Sequence, residues 1–340
     1  MTLQYPDPST ASARPPERAD GPLLPAFAHV YGVDFSGARL AGRATWVARL
    51  ALARPARAAD SPDAGGDPGG RPRLVALDRL ARLAGTAERG PALAHLVAMV
   101  RETEDALWAF DCPFGLPVEL LPARAGWGAQ RRLVREWGDD AYGLGLECVR
   151  RAQALGGPMH VRRRTDGEAR APFDPYHYRI IYQTFYGIRD VAGPLAGDAG
   201  TAVLPFQYAK LGGRRGRKAA GGAALGDAPP SPDAPVRRVV VETCPGSTLK
   251  RWGLPHQRYK QPEGGALTVV RRRTRRAIVD GLAERVGVDA TFVRRMMRDP
   301  GGDALDAVVA AVGGWEGVCA AEHAAGAGRG RYGREGRLFY

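Results

Sequence analysis

Five carboxylates stand where an apolar run stops or starts. "AHVYGVD" ends in Asp34, "LWAFD" in Asp111 and "RRVVVE" in Glu242, and "DALDAVVAAV" opens with Asp303 and Asp306. An ionised carboxylate in apolar surroundings costs several kcal/mol unless something pairs with it. Taken singly, each residue reads as a turn former or helix cap. Asp303 after "PGG" reads as an N-cap, and Asp306 as a first-turn complement to the helix dipole. Together they describe something else. Neighbouring strands lie about 4.8 Å apart, so strand-end acids at matching heights crowd, repel and resist ionisation. Asp303 and Asp306, at i and i+3, add a pair roughly 5–6 Å apart on one helix face. A hard divalent cation relieves such crowding by taking the oxygens as ligands. Mg²⁺ is the expected ion, with Mn²⁺ as its substitute.

The elements that must position these acids are legible as patterns. Residues 28–35, 44–53 and 74–80 read as three strands, the first two closing as a hairpin. Residues 87–102 carry helical apolar spacing, and 106–113 and 236–245 return to strand. Residues 267–287, 291–299 and 303–315 read as helices, and "VRRRTRRAIV" within the first of them as a solvated charged face. A mainly helical insertion is expected over about 120–200, and flexible Pro/Gly-rich insertions at about 54–73 and 212–235. Residues 1–25 read as a disordered lead-in, and 26–340 as one domain. Strands joined first by hairpins and later by helices suit an α/β mixed sheet with helices on its faces.

Composition narrows the partners. The formal net charge of +13 over 340 residues favours a polyanion such as nucleic acid. No apolar run approaches the roughly 18 residues of a membrane span, and no secretory leader pattern opens the sequence. Cys112, Cys148, Cys244 and Cys319 fit neither a zinc knuckle nor a disulfide framework, so a reducing, cytoplasmic setting is expected.

The ordered set "YGVDFSGA", "FDCPFGLP", "RRTDGEARAPFDPYHYR", "YQTFYGI", "VETCPGSTLK", "YK", "DALDAVVAA" and "EGRLFY" resembles domain of unknown function family 429 over roughly residues 28–340. Members of that family are described as predicted nucleases with an RNase H-like fold. The resemblance implies a mixed five-stranded sheet flanked by helices. It also implies a first-strand Asp, acids on later strands and an Asp pair on the last helix, the positions of Asp34, Asp111, Glu242, Asp303 and Asp306. The expected activity is metal-dependent hydrolysis of a phosphodiester, with two Mg²⁺ ions about 4 Å apart gripping one phosphate. Asp34 is the expected bridging ligand, Asp111 and Asp306 flank it, and Glu242 or Asp303 binds metal or positions the water. Arg163, Arg164, Arg179 and Lys260 are the expected nucleic-acid contacts, beside the aromatic stretch "PFDPYHYRIIYQTFYG". Three other readings stay open: a non-catalytic nucleic-acid-binding protein, an actin-like ATPase or phosphotransferase, and a zinc site using Cys112, Cys244 and His256.

Overall fold

The computed structural model describes residues 24–53, 70–211, 235–261, 265–320 and 330–340. The expected lead-in lies outside them except for Leu24 and Pro25, as do residues 54–69 and 212–234 of the two expected insertions. One six-stranded sheet organises the chain in the order β3-β2-β1-β4-β6-β5. The strands are β1 (His29–Asp34), β2 (Trp46–Ala51), β3 (Arg73–Arg79), β4 (Ala106–Phe110), β5 (Thr201–Val203) and β6 (Arg238–Glu242). β1, β2 and β3 pair antiparallel, whereas β4, β6 and β5 run parallel to β1. This mixed sheet is consistent with an RNase H-like α/β fold, but with six strands where five were expected. The extra strand is β5, which adds outside β6. Its three residues are too few to show the alternation by which strands are read.

Helices cover both faces. On one lie α1 (Arg89–Glu102), α2 (Trp127–Glu136), α3 (Ala141–Ala154) and α4 (Ile181–Tyr186), packed on Tyr31, Val33, Trp108, Phe110 and Val240. On the other lie α5 (Pro245–Arg251), α6 (Val269–Ala283), α7 (Ala290–Arg298) and α8 (Asp303–Cys319), packed on Val30, Ala48, Leu107, Ala109, Val239 and Val241. Burial on both faces is why β1, β4 and β6 read as continuous apolar runs. No helix among the described residues is long and apolar enough to cross a membrane.

The last helix, α8, is buried almost throughout and lies directly over β1. Gly32 makes this possible: a Cβ there would fall 2.0 Å from the Ala307 carbonyl oxygen and 2.4 Å from the Ala311 nitrogen. Both obstacles are backbone, so neither yields by a rotamer change. Gly32→Ala is therefore expected to cost at least about 3 kcal/mol, the upper end for overpacking. The check is a lowered urea midpoint with the slope unchanged; an unaltered midpoint would show that α8 can ride outward.

Candidate active site

Parallel pairing puts the carboxyl-terminal ends of β1, β4 and β6 at one end of the sheet. Asp34 is the last residue of β1, on the α8 side with Val30 and Gly32. Asp111 follows β4, and its N–H donates to the Val33 carbonyl at 2.8 Å, which brings it level with Asp34. α8 begins over this edge, so Asp303 and Asp306 come down in its first turn. Gly302 starts the helix in the left-handed region, at φ 82°, and has Lys260, Arg275 and Tyr259 as neighbours. Asp303 is thus the first helical residue and not the N-cap the sequence suggested. The side chain that caps is Asp299, whose Oδ2 accepts from Ala304 N at 3.1 Å.

Four aspartates therefore share one electrostatic site. Asp34 and Asp306 are 7% and 2% exposed, and Asp111 and Asp303 are partly buried. Burial, with Lys260 opposing it and Asp303, Asp306 and Asp111 adding repulsion, holds Asp34 well above the ordinary carboxylate range. Burial and then Asp306 push Asp111 up to about 8. Burial raises Asp303 to about 6, against the pull of Lys260.

Lys260 is the counter-charge. Its Nζ pairs with Asp306 Oδ2 and lies 3.7 Å from Asp303 Oδ1. Burial disfavours the ammonium, but Asp306, Asp34, Tyr259 and Asp303 outweigh it and keep it charged well beyond the usual lysine range. Its ammonium is engaged by the acids, while the side chain remains 42% exposed. Tyr259 donates its hydroxyl to Asp306 Oδ1 at 2.8 Å. The segment carrying both is anchored by Arg275, which is fully buried and donates to the carbonyls of Tyr259, Met296, Asp299 and Pro300. Arg275 belongs to the run read as solvated; it is the one arginine of "RRRTRR" turned wholly into the core.

Glu242 stands on the other face from the four, yet it is near enough to add repulsion at Asp111. It pairs in register with Phe110, one residue short of Asp111, and strand alternation turns it to the opposite face with Val240. There it meets Arg163, a residue expected at a nucleic-acid surface but only 1% exposed. Arg163 donates to Glu242 Oε2 at 2.8 Å and Oε1 at 2.5 Å, and to Asp166 Oδ1 at 2.7 Å. Phe114 N also donates to Glu242 Oε2, at 3.0 Å. Three donated hydrogen bonds, one to Oε1 and two to Oε2, thus engage this acid within the protein. Of the other expected contacts, Arg164 is paired with Glu168, whereas Arg179 is exposed and lies over Phe173 and Tyr178. Phe185 and Tyr186, from the same aromatic stretch, are core residues.

A cavity of ≈ 600 Å³ opens over the acids. Asp34, Asp111 and Asp306 line it together with Phe173, His256, Arg258, Lys260 and Arg271. Cys112 and Cys244 line it too, but burial pushes the Cys112 thiol up and Cys244 to about 12, so neither is a ready thiolate. The carboxylate oxygens of Asp34, Asp111 and Asp306 fit a hard divalent cation. Among the described residues no three His, Cys, Asp or Glu side chains are already drawn together as a metal cage, and Lys260 pairs with Asp306 and Asp303.

Native carboxyls that hold protons too tightly make the fold weaker as pH rises. Between the ordinary 3.8 and the raised value, the folded state binds more protons than the unfolded state, so stability declines across that interval. It extends to about 6 for Asp303 and about 8 for Asp111. In a chelating buffer the melting temperature is expected to fall from pH 5 to 8.5, and Asp111→Asn to flatten the part above pH 6. Calorimetry across that range is the check, and a flat wild-type profile would disprove the coupling.

No curated protein and no solved structure matches the chain. A family model does match, across residues 32–325, so this acid-ended mixed sheet belongs to the family described as "Protein of unknown function (DUF429)".

Proposed function

We propose that the protein is a metal-dependent hydrolase of phosphodiester bonds in nucleic acid. The observation that carries this reading is the placement of Asp34, Asp111 and Asp306 at one sheet end, lining a cavity that Arg258 and Arg271 also line, with Asp303 adding its repulsion from beside them. Asp34, Asp111 and Asp306 are the residues that would hold Mg²⁺ or Mn²⁺. A bound divalent cation supplies an activated water near neutral pH and charge relief at the phosphate. The chain itself supplies the rest. Tyr259 and Lys260 orient Asp306, and Lys260 opposes the burial that raises Asp34, Asp111 and Asp303. Arg258, which has no partner among the described side chains, and Arg271 face an incoming phosphate. The four free cysteines suit a reducing, cytoplasmic setting.

One observation favours a second reading, nucleic-acid binding without catalysis: Lys260 already neutralises part of the cluster. Both are tested by incubating the full chain with labelled single strands, duplexes, hybrids and branched junctions, with Mg²⁺ or Mn²⁺ and with chelator. Metal-dependent cutting abolished by Asp34→Asn is the expected result. Salt-sensitive binding with no cutting of any substrate would replace hydrolysis by binding.

A further inference from the structure

A second cavity, of ≈ 440 Å³, borders the segment that leads into α8. It is lined by Trp46, Arg79, Arg294, Arg295, Arg298 and Asp299, among others. Its position follows from sheet register. Asp34 on β1 pairs with Trp46 on β2, and Trp46 pairs with Arg79 on β3, so the three form a cross-strand row on the α8 face. Asp299 closes the link: its Oδ1 takes Arg79 at 3.0 Å, its Oδ2 caps α8, and both Asp299 and Arg79 act on Asp303.

The charge here exceeds what the fold uses. Arg79 is taken by Asp299 and Arg295 by Asp78. Arg294 reaches Thr291 Oγ1 on its own helix at 3.0 Å, and Arg298 has no partner among the described residues. Both are exposed, and they stand at i and i+4 on α7. Like charges at that spacing repel, by about 0.2–0.5 kcal/mol on a helix, so an anion between them would relieve the pair. Arg79 lies 5.1 Å from the Trp46 ring centroid, which fixes its plane. The buried Trp46 Nε1 has no hydrogen-bond partner. Four guanidinium groups thus stand against one lining carboxylate beside the acid cluster.

We infer that this arginine cavity is a phosphate-binding subsite, and that it takes backbone phosphates of the nucleic-acid strand whose neighbouring phosphate enters the acid cluster. The inference rests on the nucleic-acid reading above, but it needs no catalysis. Guanidinium forks match phosphate oxygens two at a time, and phosphate contacts fix register without reading sequence. Arg294 and Arg298 are the contacts free to form on binding.

The test is fluorescence anisotropy of the full chain carrying Asp34→Asn, in chelator, with a labelled 20-nucleotide oligothymidine and a 20-base-pair duplex between 50 and 250 mM salt. Arg294→Ala with Arg298→Ala is expected to reduce the slope of log affinity against log salt by about 1.4 on the single strand and about 1.8 on the duplex. A control of equal charge, Arg132→Ala with Arg135→Ala on α2 across the sheet, is expected to leave the slope nearly unchanged. Equal slopes for the α7 pair and parent, or equal losses for both pairs, would overturn the subsite. A free polyphosphate is the rival source of the same chemistry. If tripolyphosphate raises the parent's melting temperature through these two arginines while oligonucleotide slopes are unmoved, the backbone assignment fails. Cutting by wild type is scored separately. No cutting with an arginine-dependent slope removes hydrolysis and keeps the subsite, whereas cutting with an unmoved slope does the reverse.

Discussion

Arg163→Met is expected to destabilise the protein by roughly 3–5 kcal/mol, the cost of leaving buried charges without their partner. Arg163 lies between Glu242 and Asp166, all three nearly solvent-free, and also donates to the Glu335 carbonyl at 3.2 Å. Methionine fills most of the volume, so the loss is electrostatic and not a cavity. Burial already raises Glu242 despite Arg163 beside it. Without Arg163 its pKa rises further above the unfolded value, so the deficit is present at neutral pH and shrinks as the medium becomes acid enough to protonate it. Urea titrations of wild type and variant at pH 5 and 7.5 check both the size and its pH dependence. A pH-independent loss would point to packing, and a loss below about 1 kcal/mol would show the triad to be relaxed or hydrated. Adding Glu242→Gln and Asp166→Asn to Arg163→Met is expected to restore much of the stability.

Asp34→Asn is expected to lower metal-dependent cleavage by more than about 100-fold. Groups that only orient a metal ligand typically cost 10–100-fold when lost, and on the proposed reading Asp34 is itself a ligand. The same substitution is expected to raise the melting temperature in chelator above neutral pH. It removes a buried carboxyl that desolvation and three neighbouring acids disfavour. Opposite signs for activity and stability mark a residue kept for chemistry. Single-turnover assays with Mn²⁺ and calorimetry of the same preparation supply the two readings. Unchanged cleavage with lower stability would make Asp34 structural.

What could be read from the residues alone divides along physical lines. Asp34, Asp111, Asp303 and Asp306 were legible because each interrupts an apolar run or opens one, and a carboxylate there needs a partner. β1, β4, β6 and α8 were legible for the same reason. Glu242 satisfied the same rule and went elsewhere. A strand's period of two makes the face depend on register, and nothing local states that Glu242 pairs with Phe110 instead of lying level with Asp111. Charge in a sequence carries no burial label: within "RRTDGEAR", Arg164 and Arg170 are exposed as a basic surface would have them, whereas Arg163 is enclosed. Tyr259, Lys260, Arg275 and Asp299 complete the site from irregular chain or from a charged run, where no periodicity marks a residue. Two clues existed: "YK" belongs to the family pattern, and "RDPGGD" holds polar groups at the start of a helix that begins in acids.

The row across the sheet end also sets an order of events during synthesis. β1 and β4 emerge early and are neighbours in the sheet, so a nascent chain that pairs them brings Asp34 and Asp111 level before Lys260 exists. Its half-site holds repulsion without the ammonium that offsets it. Lys260 and α8 arrive only after the intervening chain has been made, and closing so long a loop is slow compared with local pairing. Docking of α8 over Gly32 is then the step that brings Asp303 and Asp306 in, with Lys260 to balance them. That step also buries the early pair, and burial is the largest cost at both Asp34 and Asp111.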